Sequence, residues 1–263
     1  MIYVCIPSYN EAPTIGLLLW KIRQVFVGFQ REYQMLVLDD GSNDSTAEVL
    51  ERYTRVLPLS VIRHQERRGY ADSVEELLRL AVERTDRPKR DCAILMHADF
   101  AHSPQFIPDL VRRIESGADI VIAQSKLEGE PSRVRRWIRR LAPQLLRGAV
   151  SVPGVTDVVS GFSVFRLVTL RNAFRGVPGR LLTTEGWAAN AELYGRTSRH
   201  ARRVETISAV ERRDLRQRGS RASSWAPMIN VWRSRGPLRH LPPPQAGEPS
   251  TSREPPRQAE VAS

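Results

Sequence analysis

Apolar and polar positions follow two different rhythms along the first half of this chain. Apolar stretches at 2–6, 35–38, 59–62 (broken by Ser60), 93–96 and 119–123 (opened by Asp119) are each four or five residues long, as expected of short strands in a largely buried sheet. Between them the apolar positions recur at helical spacing, at Ile15, Leu18, Leu19, Ile22 and Phe26, then at Val74, Leu77, Leu78 and Ala81. Pro7 closes the first strand, Asp44 or Ser45 is placed to cap a helix through Tyr53, and Pro104 to open one through Ile114. Strands alternating with helices in this way predict an α/β fold, a mostly parallel Rossmann-like sheet flanked by helices with right-handed crossovers.

The rhythm then changes. Between 132 and 147, Val134, Trp137, Ile138, Leu141 and Leu145 share one side, while Arg133, Arg135, Arg136, Arg139, Arg140 and Arg147 take much of the rest. The segment predicts a strongly basic amphipathic helix. Residues 156–160 and 161–165 follow, then a helix over about 184–194 and a last strand over 204–210. Beyond Gly236 the chain turns to Pro, Ser, Arg and Glu, with Pro242-Pro-Pro244 and Pro255-Pro256. Such a stretch buries too little apolar surface to fold. The expected organisation is a single domain over 1–235 with a disordered tail over 236–263, and no internal repeat.

Composition narrows the partners. The 263 residues carry a formal net charge of +11, which calls for an anionic partner without choosing among nucleotide, polyphosphate, nucleic acid and anionic lipid. Only Lys21, Lys89 and Lys126 are lysines; the other basic residues are arginine, the better bidentate phosphate ligand, although a GC-rich genome produces the same bias. Few stacking aromatics are interleaved with the basic runs, so no specific nucleic-acid partner is expected. Cys5 and Cys92 both fall in predicted core strands and read as buried thiols of a reducing compartment. No apolar stretch approaches the ~20 residues of a membrane span, and 1–6 lacks the basic start of a signal peptide. The expectation is a cytoplasmic chain, peripheral to the inner face of the membrane where it meets one. The oligomeric state is left open.

The candidate chemistry sits at strand ends. Pro7-Ser-Tyr9-Asn-Glu11 follows the first strand, Asp39-Asp40-Gly41-Ser42-Asn43-Asp44 the second, and His97-Ala98-Asp99 the fourth. In an open α/β sheet, ligands bind outside the carboxyl ends of strands. One acidic loop there is often only a helix cap. Two such loops, with a tyrosine beside them to stack on a base, suit a nucleotide whose ribose and metal-bound diphosphate are held by carboxylates.

In order and spacing, Ile6-Pro-Ser-Tyr-Asn-Glu11, Leu38-Asp-Asp-Gly-Ser-Asn-Asp-Ser45 and Leu95-Met-His-Ala-Asp-Phe-Ala-His-Ser-Pro-Gln105 resemble the nucleotide-sugar core of family 2 glycosyltransferases with the GT-A fold. Val158-Val-Ser-Gly-Phe-Ser-Val-Phe-Arg166 and Glu185-Gly-Trp-Ala-Ala-Asn-Ala-Glu192 are similar to the branch of polyprenyl-phosphate mannose and glucose synthases, such as dolichol-phosphate mannose synthase. The likeness covers about residues 1–225.

The resemblance implies roles position by position. Pro7, Tyr9, Glu11, Asp40 and Ala98 match nucleotide-sugar-binding positions. Asp99 occupies the second acidic place of an Asp-x-Asp motif, where a divalent ion, Mn2+ or Mg2+, bridges the diphosphate. His97 stands where the first acid is expected. It ligates the ion, favouring manganese, or only hydrogen-bonds a phosphate or ribose, or marks lost activity. Ala101 stands where the family often has glutamine, and Ser163 where an arginine is common. His102 reads as a surface loop residue. The basic helix corresponds to the interfacial region, with Arg136 and Arg139 meeting the acceptor's phosphate; its plain alternative is a solvated charged face. Ser160 and Gly161 lie near the acceptor and donor sugar. Arg216, Gly219, Ser220 and Arg221 match a mobile basic loop, one position short, whose Arg216 and Arg221 offset diphosphate charge. Glu192 and Arg196 are an i,i+4 pair, with residues 185–192 beneath the sugar.

The implied reaction is inverting transfer of a hexose from a UDP- or GDP-sugar to a polyprenyl phosphate on an anionic membrane surface. Transfer to a soluble hydroxyl acceptor, or a degenerate polyanion binder without catalysis, are the alternatives.

Overall fold

The computed structural model describes residues 1–127, 152 and 154–211. The strands are β1 (Ile2–Ser8), β2 (Tyr33–Asp39), β3 (Leu59–Arg63), β4 (Cys92–Leu95), β5 (Ile120–Leu127), β6 (Ser163–Arg166) and β7 (Val204–Glu211). They form one seven-stranded sheet in the order β3-β2-β1-β4-β6-β5-β7. β1 runs parallel to β2 and β4, β2 to β3, and β5 to β7. β6 is antiparallel to both of its neighbours, β4 and β5.

The helices are α1 (Ala12–Gly28), α2 (Thr46–Thr54), α3 (Tyr70–Arg84), α4 (Ile107–Glu115), α5 (Leu167–Arg175) and α6 (Trp187–Thr197). Alternate residues of each strand feed opposite cores. Ile2, Val4 and Ile6 pack with Ile15, Leu19, Leu50 and Leu110 of α1, α2 and α4. Tyr3 and Cys5 pack with Leu77, Leu170 and Tyr194 of α3, α5 and α6. Both sheet faces are therefore covered, which is why the strands read as largely apolar runs. Cys5 and Cys92 are buried free thiols. Burial pushes the Cys92 thiol up to about 12, so neither nucleophilic nor redox chemistry is expected of it.

Some local expectations shift. Pro7 does not end β1; it pairs opposite Leu38, and the strand closes at Ser8, whose carbonyl accepts the Asp40 N–H at 2.9 Å. A proline without a ladder donor is tolerated one residue from a strand end. A single 3-10 turn, Pro104–Phe106, precedes α4. The strand β6 and the helix α5 are additions. Among the described residues no helix is long and apolar enough to cross a membrane.

Two features position the site. The carboxyl ends of β1 to β4 share one edge of the sheet. Because β6 enters antiparallel, with Ser163 opposite Leu95, the turn before it reaches that same edge. The basic segment 132–147 and the tail 236–263 lie outside the described residues.

Candidate active site

The loop after β1 is fastened to the loop after β2 by a ladder of short polar bonds. Asn10 adopts a left-handed φ of 54°, which asparagine tolerates better than most residues. Its N–H donates to Ser42 Oγ (2.8 Å), its Nδ2 to Asn43 Oδ1 (2.6 Å), and Asn43 N–H returns a bond to Asn10 Oδ1 (2.9 Å). Glu11 N–H donates to Thr46 Oγ1 (2.9 Å), and Asp44 accepts from the N–H groups of Ala12 (3.3 Å) and Thr46 (3.0 Å). One carboxylate thus serves the first turns of α1 and α2. Burial acts to raise the Asp44 carboxyl, but bonds from Thr46 and Ala12 outweigh it and hold the group below its ordinary range. Much of the Gly41–Thr46 motif is scaffold for the backbone that carries Tyr9 and Glu11.

Pro7, Tyr9, Glu11, Asp40, His97, Ala98 and Asp99 line one cleft of about 180 Å³, together with Ser8, Arg67, Tyr70 and Ser73. Seven positions singled out in the sequence therefore converge. Asp40 has a further use there. Its carboxylate is buried and accepts from the N–H groups of Arg68 (2.8 Å) and Gly69 (2.9 Å) and meets His64 Nδ1 at 2.9 Å. The other ring nitrogen of His64 meets Glu76 Oε2 at 2.9 Å. Asp40 accordingly pins the segment between β3 and α3 against the cleft. That segment delivers Arg67, whose guanidinium lies 4.3 Å from the Tyr9 ring centroid, a cation–π contact at the mouth. Arg67 and Tyr70 were not anticipated as site residues; the visible signal was a third strand ending at the same edge, followed at once by Arg67-Arg-Gly-Tyr70.

His97 is seated between two partners. Its ring stacks on Tyr70, centroids 5.1 Å apart and 17° from parallel. Its Nε2 is 3.5 Å from the Tyr70 hydroxyl, and it abuts Gly161 so closely that a Cβ there would overlap the ring. Asp99 turns back on its own backbone, Oδ1 accepting the Ala101 N–H at 3.0 Å, while the intervening Phe100 takes a left-handed φ of 61°. A buried phenylalanine in that region is strained, and the strain lies beside a candidate metal ligand. Among the described residues no group of three or more His, Cys, Asp or Glu side chains is placed to hold an ion. A carboxylate and an imidazole two residues apart suit manganese if phosphate oxygens and water complete the shell.

Ser160 and Gly161 reach the cleft through His97. Ser160 Oγ donates to the Ala123 carbonyl at 2.6 Å, and its own carbonyl accepts from the Tyr194 hydroxyl. Asn190 Nδ2 donates to the Val159 carbonyl (3.1 Å), and its Oδ1 accepts from the Tyr70 hydroxyl (2.9 Å). Burial raises the Tyr70 phenol above its ordinary range, so the hydroxyl stays protonated and donating. The Glu192–Arg196 pair is present, with the carboxylate buried and the guanidinium half-buried. Glu192 also accepts from the N–H groups and hydroxyls of Thr183 and Thr184, at 2.8 to 2.9 Å. Burial acts to raise its carboxyl, yet the bonds from Arg196, Thr183 and Thr184 win and lower it. His102 is not the surface residue expected; it is 6% exposed and tilts against Phe162, centroids 5.3 Å apart. Arg136, Arg139, Arg216 and Arg221 lie outside the described residues.

Comparison with known proteins accords with this geometry. The family described as Glycosyl transferase family 2 matches residues 3–174. The dolichol-phosphate mannosyltransferase of Pyrococcus furiosus is 30% identical over 170 residues, covering 62% of this chain and 45% of that protein. An undecaprenyl-phosphate 4-deoxy-4-formamido-L-arabinose transferase of Pseudomonas aeruginosa is 29% identical over 141 residues, covering 54% and 40%. The chain thus spans less than half the length of these curated relatives. Among solved structures, the glucosyl-3-phosphoglycerate synthase of Mycobacterium tuberculosis, in complex with Mn2+, UDP-glucose and phosphoglyceric acid, superposes with a TM-score of 0.60 at 18% identity, over 90% of this chain and 80% of that one. A mannosyltransferase of Pyrobaculum calidifontis, in complex with GDP-mannose and Mn2+, gives 0.55 at 19%, over 87% and 60%. The fold is GT-A.

Proposed function

The chain belongs to glycosyl transferase family 2, and from that premise we propose that it transfers a hexose from a UDP- or GDP-sugar to a polyprenyl phosphate, with inversion at the anomeric carbon. The observation that carries the reading is the convergence of Pro7, Tyr9, Glu11, Asp40 and residues 97–99 on one cleft at the carboxyl edge of the sheet. The curated relatives named above act, by their names, on dolichol and undecaprenyl phosphates, and this supports the lipid acceptor.

In this reading Tyr9 and Arg67 offer a flat cationic surface to the base, with Glu11 and the Asp40 wall beside the ribose. Asp99 would hold the divalent ion, and His97 would join it through Nδ1, since Nε2 is covered by Gly161 and Tyr70. When bound, Mn2+ or Mg2+ offsets the charge that develops on the departing nucleoside diphosphate. The acceptor phosphate is already an anion, so its oxygen attacks the anomeric carbon as the bond to the diphosphate breaks, with no protein base required. The site's work is positioning: the turn at 158–162, held by Asn190 and Tyr194, faces the side from which the acceptor arrives. By the sequence resemblance, Arg216 and Arg221 close over the diphosphate, and Arg136 and Arg139 meet the acceptor phosphate.

A donor screen tests this. Nucleotide-sugars with Mn2+ or Mg2+ are incubated with and without polyprenyl phosphate, and released nucleoside diphosphate is measured for the native chain and for Asp99→Ala. Release that requires the lipid phosphate and is lost in the variant is the expected result. Release to a soluble hydroxyl compound but not to the lipid phosphate overturns the acceptor. Failure of the native chain to bind UDP or GDP with metal overturns the whole reading.

A further inference from the structure

Helix α1 is apolar on both of its long faces, and only one of them is covered. Its inner stripe, with Leu18 and Ile22 fully buried, packs on the sheet. On the opposite side Leu17 is 44% exposed, Trp20 44% and Val27 65%. At 100° per residue, Leu17, Gln24, Trp20 and Val27 fall within a sector of about 80°. Lys21 lies about 40° beyond one border of that sector and Arg23 about 40° beyond the other. Among the described residues no element covers this sector. Exposed apolar residues taken singly mean little; three in one stripe between two cations form a patch.

We infer that the outer face of α1 docks on an anionic membrane surface, with Trp20 and its apolar neighbours entering the headgroup boundary and Lys21 and Arg23 meeting lipid phosphates. Charge selects this occupant. The 17 residues of α1 contain no aspartate or glutamate, and the neighbouring α2 adds Glu48 and Glu51 against Arg52, with Arg55 at its C-cap, leaving the patch net positive. The Arg23 guanidinium lies 5.6 Å from the Trp20 ring centroid, which places a cation beside an amphipathic indole, as at a bilayer interface. A second copy fits poorly, because a two-fold contact sets the same patch against itself, here cation against cation. The basic segment 132–147, with its six arginines, meets the same repulsion. A nucleic acid would satisfy the cations but leave Leu17 and Val27 uncovered. The inference does not rest on the chemistry proposed for the cleft.

The test uses the full chain and vesicles of phosphatidylcholine, with or without about one third phosphatidylglycerol. Cosedimentation is measured at low salt for the native chain and for Leu17→Glu/Trp20→Glu, and nucleotide affinity is measured in parallel as a check on folding. The native chain is expected to sediment with the anionic vesicles and not with the neutral ones. The double variant should lose about tenfold or more in partitioning with unchanged nucleotide affinity. Should that affinity change, Trp20→Ser alone supplies the comparison. The inference is overturned if the variant partitions like the native chain, if the native chain ignores anionic vesicles, or if the native chain is a dimer that the variant dissolves without any vesicle binding. Nucleotide binding that fails while vesicle binding holds would count against the cleft reading alone.

Discussion

Gly161→Ala isolates one contact at the centre of the site. An ideal Cβ at Gly161 overlaps Nε2 and Cδ2 of His97 and lies 2.9 Å from Cε1, against the ~3.5–4.0 Å of a favourable carbon contact. The ring therefore has to leave its place on Tyr70. The stacked pair is worth about 0.5–1.5 kcal/mol, and forcing a side chain off its rotamer costs a similar amount. The substitution should thus destabilise the domain by about 1–3 kcal/mol, in the range of other overpacking changes. The φ of Gly161 is not left-handed, so no backbone penalty adds to this, and the three atoms nearest the new Cβ all belong to His97. A double-mutant cycle checks the reasoning. Urea unfolding of the native chain, Gly161→Ala, His97→Ala and the double variant yields four stabilities, and in the His97→Ala background the alanine at 161 should cost no more than about 0.5 kcal/mol. An equal cost in both backgrounds would refute the seating of His97 on Gly161. It would also remove the reason given for ligation through Nδ1.

Two further outcomes are expected. Asp40→Asn keeps the shape but turns an NH2 toward groups that now donate to a carboxylate, the N–H of Arg68, the N–H of Gly69 and the His64 ring. One buried donor loses its partner, at about 1–3 kcal/mol, and nucleotide titration should show weaker binding because Arg67 and Tyr70 hang on the same segment; unchanged unfolding and unchanged affinity would contradict the structural role. The lowered Glu192 carboxyl contributes stability that is fully present above its ordinary value of 4.5 and is lost as pH falls through its folded value. The stability gap between the native chain and Glu192→Gln should therefore shrink as urea unfolding is repeated at successively lower pH below that value, and a gap independent of pH would show that the carboxyl's ionised state does not matter.

The readable part of the fold had a physical basis. β1, β2 and β4 are buried on both faces, so their sequences are largely apolar runs, and the residues that follow them are polar where they line the cleft. The place of Tyr9, Glu11 and residues 97–99 at strand ends was legible from that register, while their roles came from the family resemblance. β6 was not, because four residues ordered Ser-Val-Phe-Arg have no period of their own and owe their place to β4 and β5. α5 carries Leu167, Leu170, Ala173 and Phe174 at helical spacing, but follows so closely on β6 that no turn marks its start. His102 looked like a loop residue because burial of a histidine depends on what lands against it, here Phe162. The roles of Arg67, Tyr70 and Asn190 arise only when α3 and α6 come together on one face of the sheet.

His97 draws these parts into one argument. In isolation, a histidine where the family resemblance calls for an acid suggests a lost ligand. In the folded chain, Tyr70 presents a ring for it to stack on, Gly161 leaves the space it fills, and Asn190 ties the Tyr70 hydroxyl to the backbone of the turn that carries Gly161. A carboxylate at 97 would gain nothing from the aromatic face. It would also bring a second charge close to Asp99, which a metal would have to neutralise before the site were stable. The imidazole avoids that repulsion and packs against both α3 and the turn before β6, so it joins those two walls of the cleft. The antiparallel entry of β6 makes this possible, because it alone brings residues 158–162 to the carboxyl end of β4. His97, Tyr70, Gly161 and Asn190 therefore behave as a matched set, and substituting any one of them should be felt on both sides of the cleft.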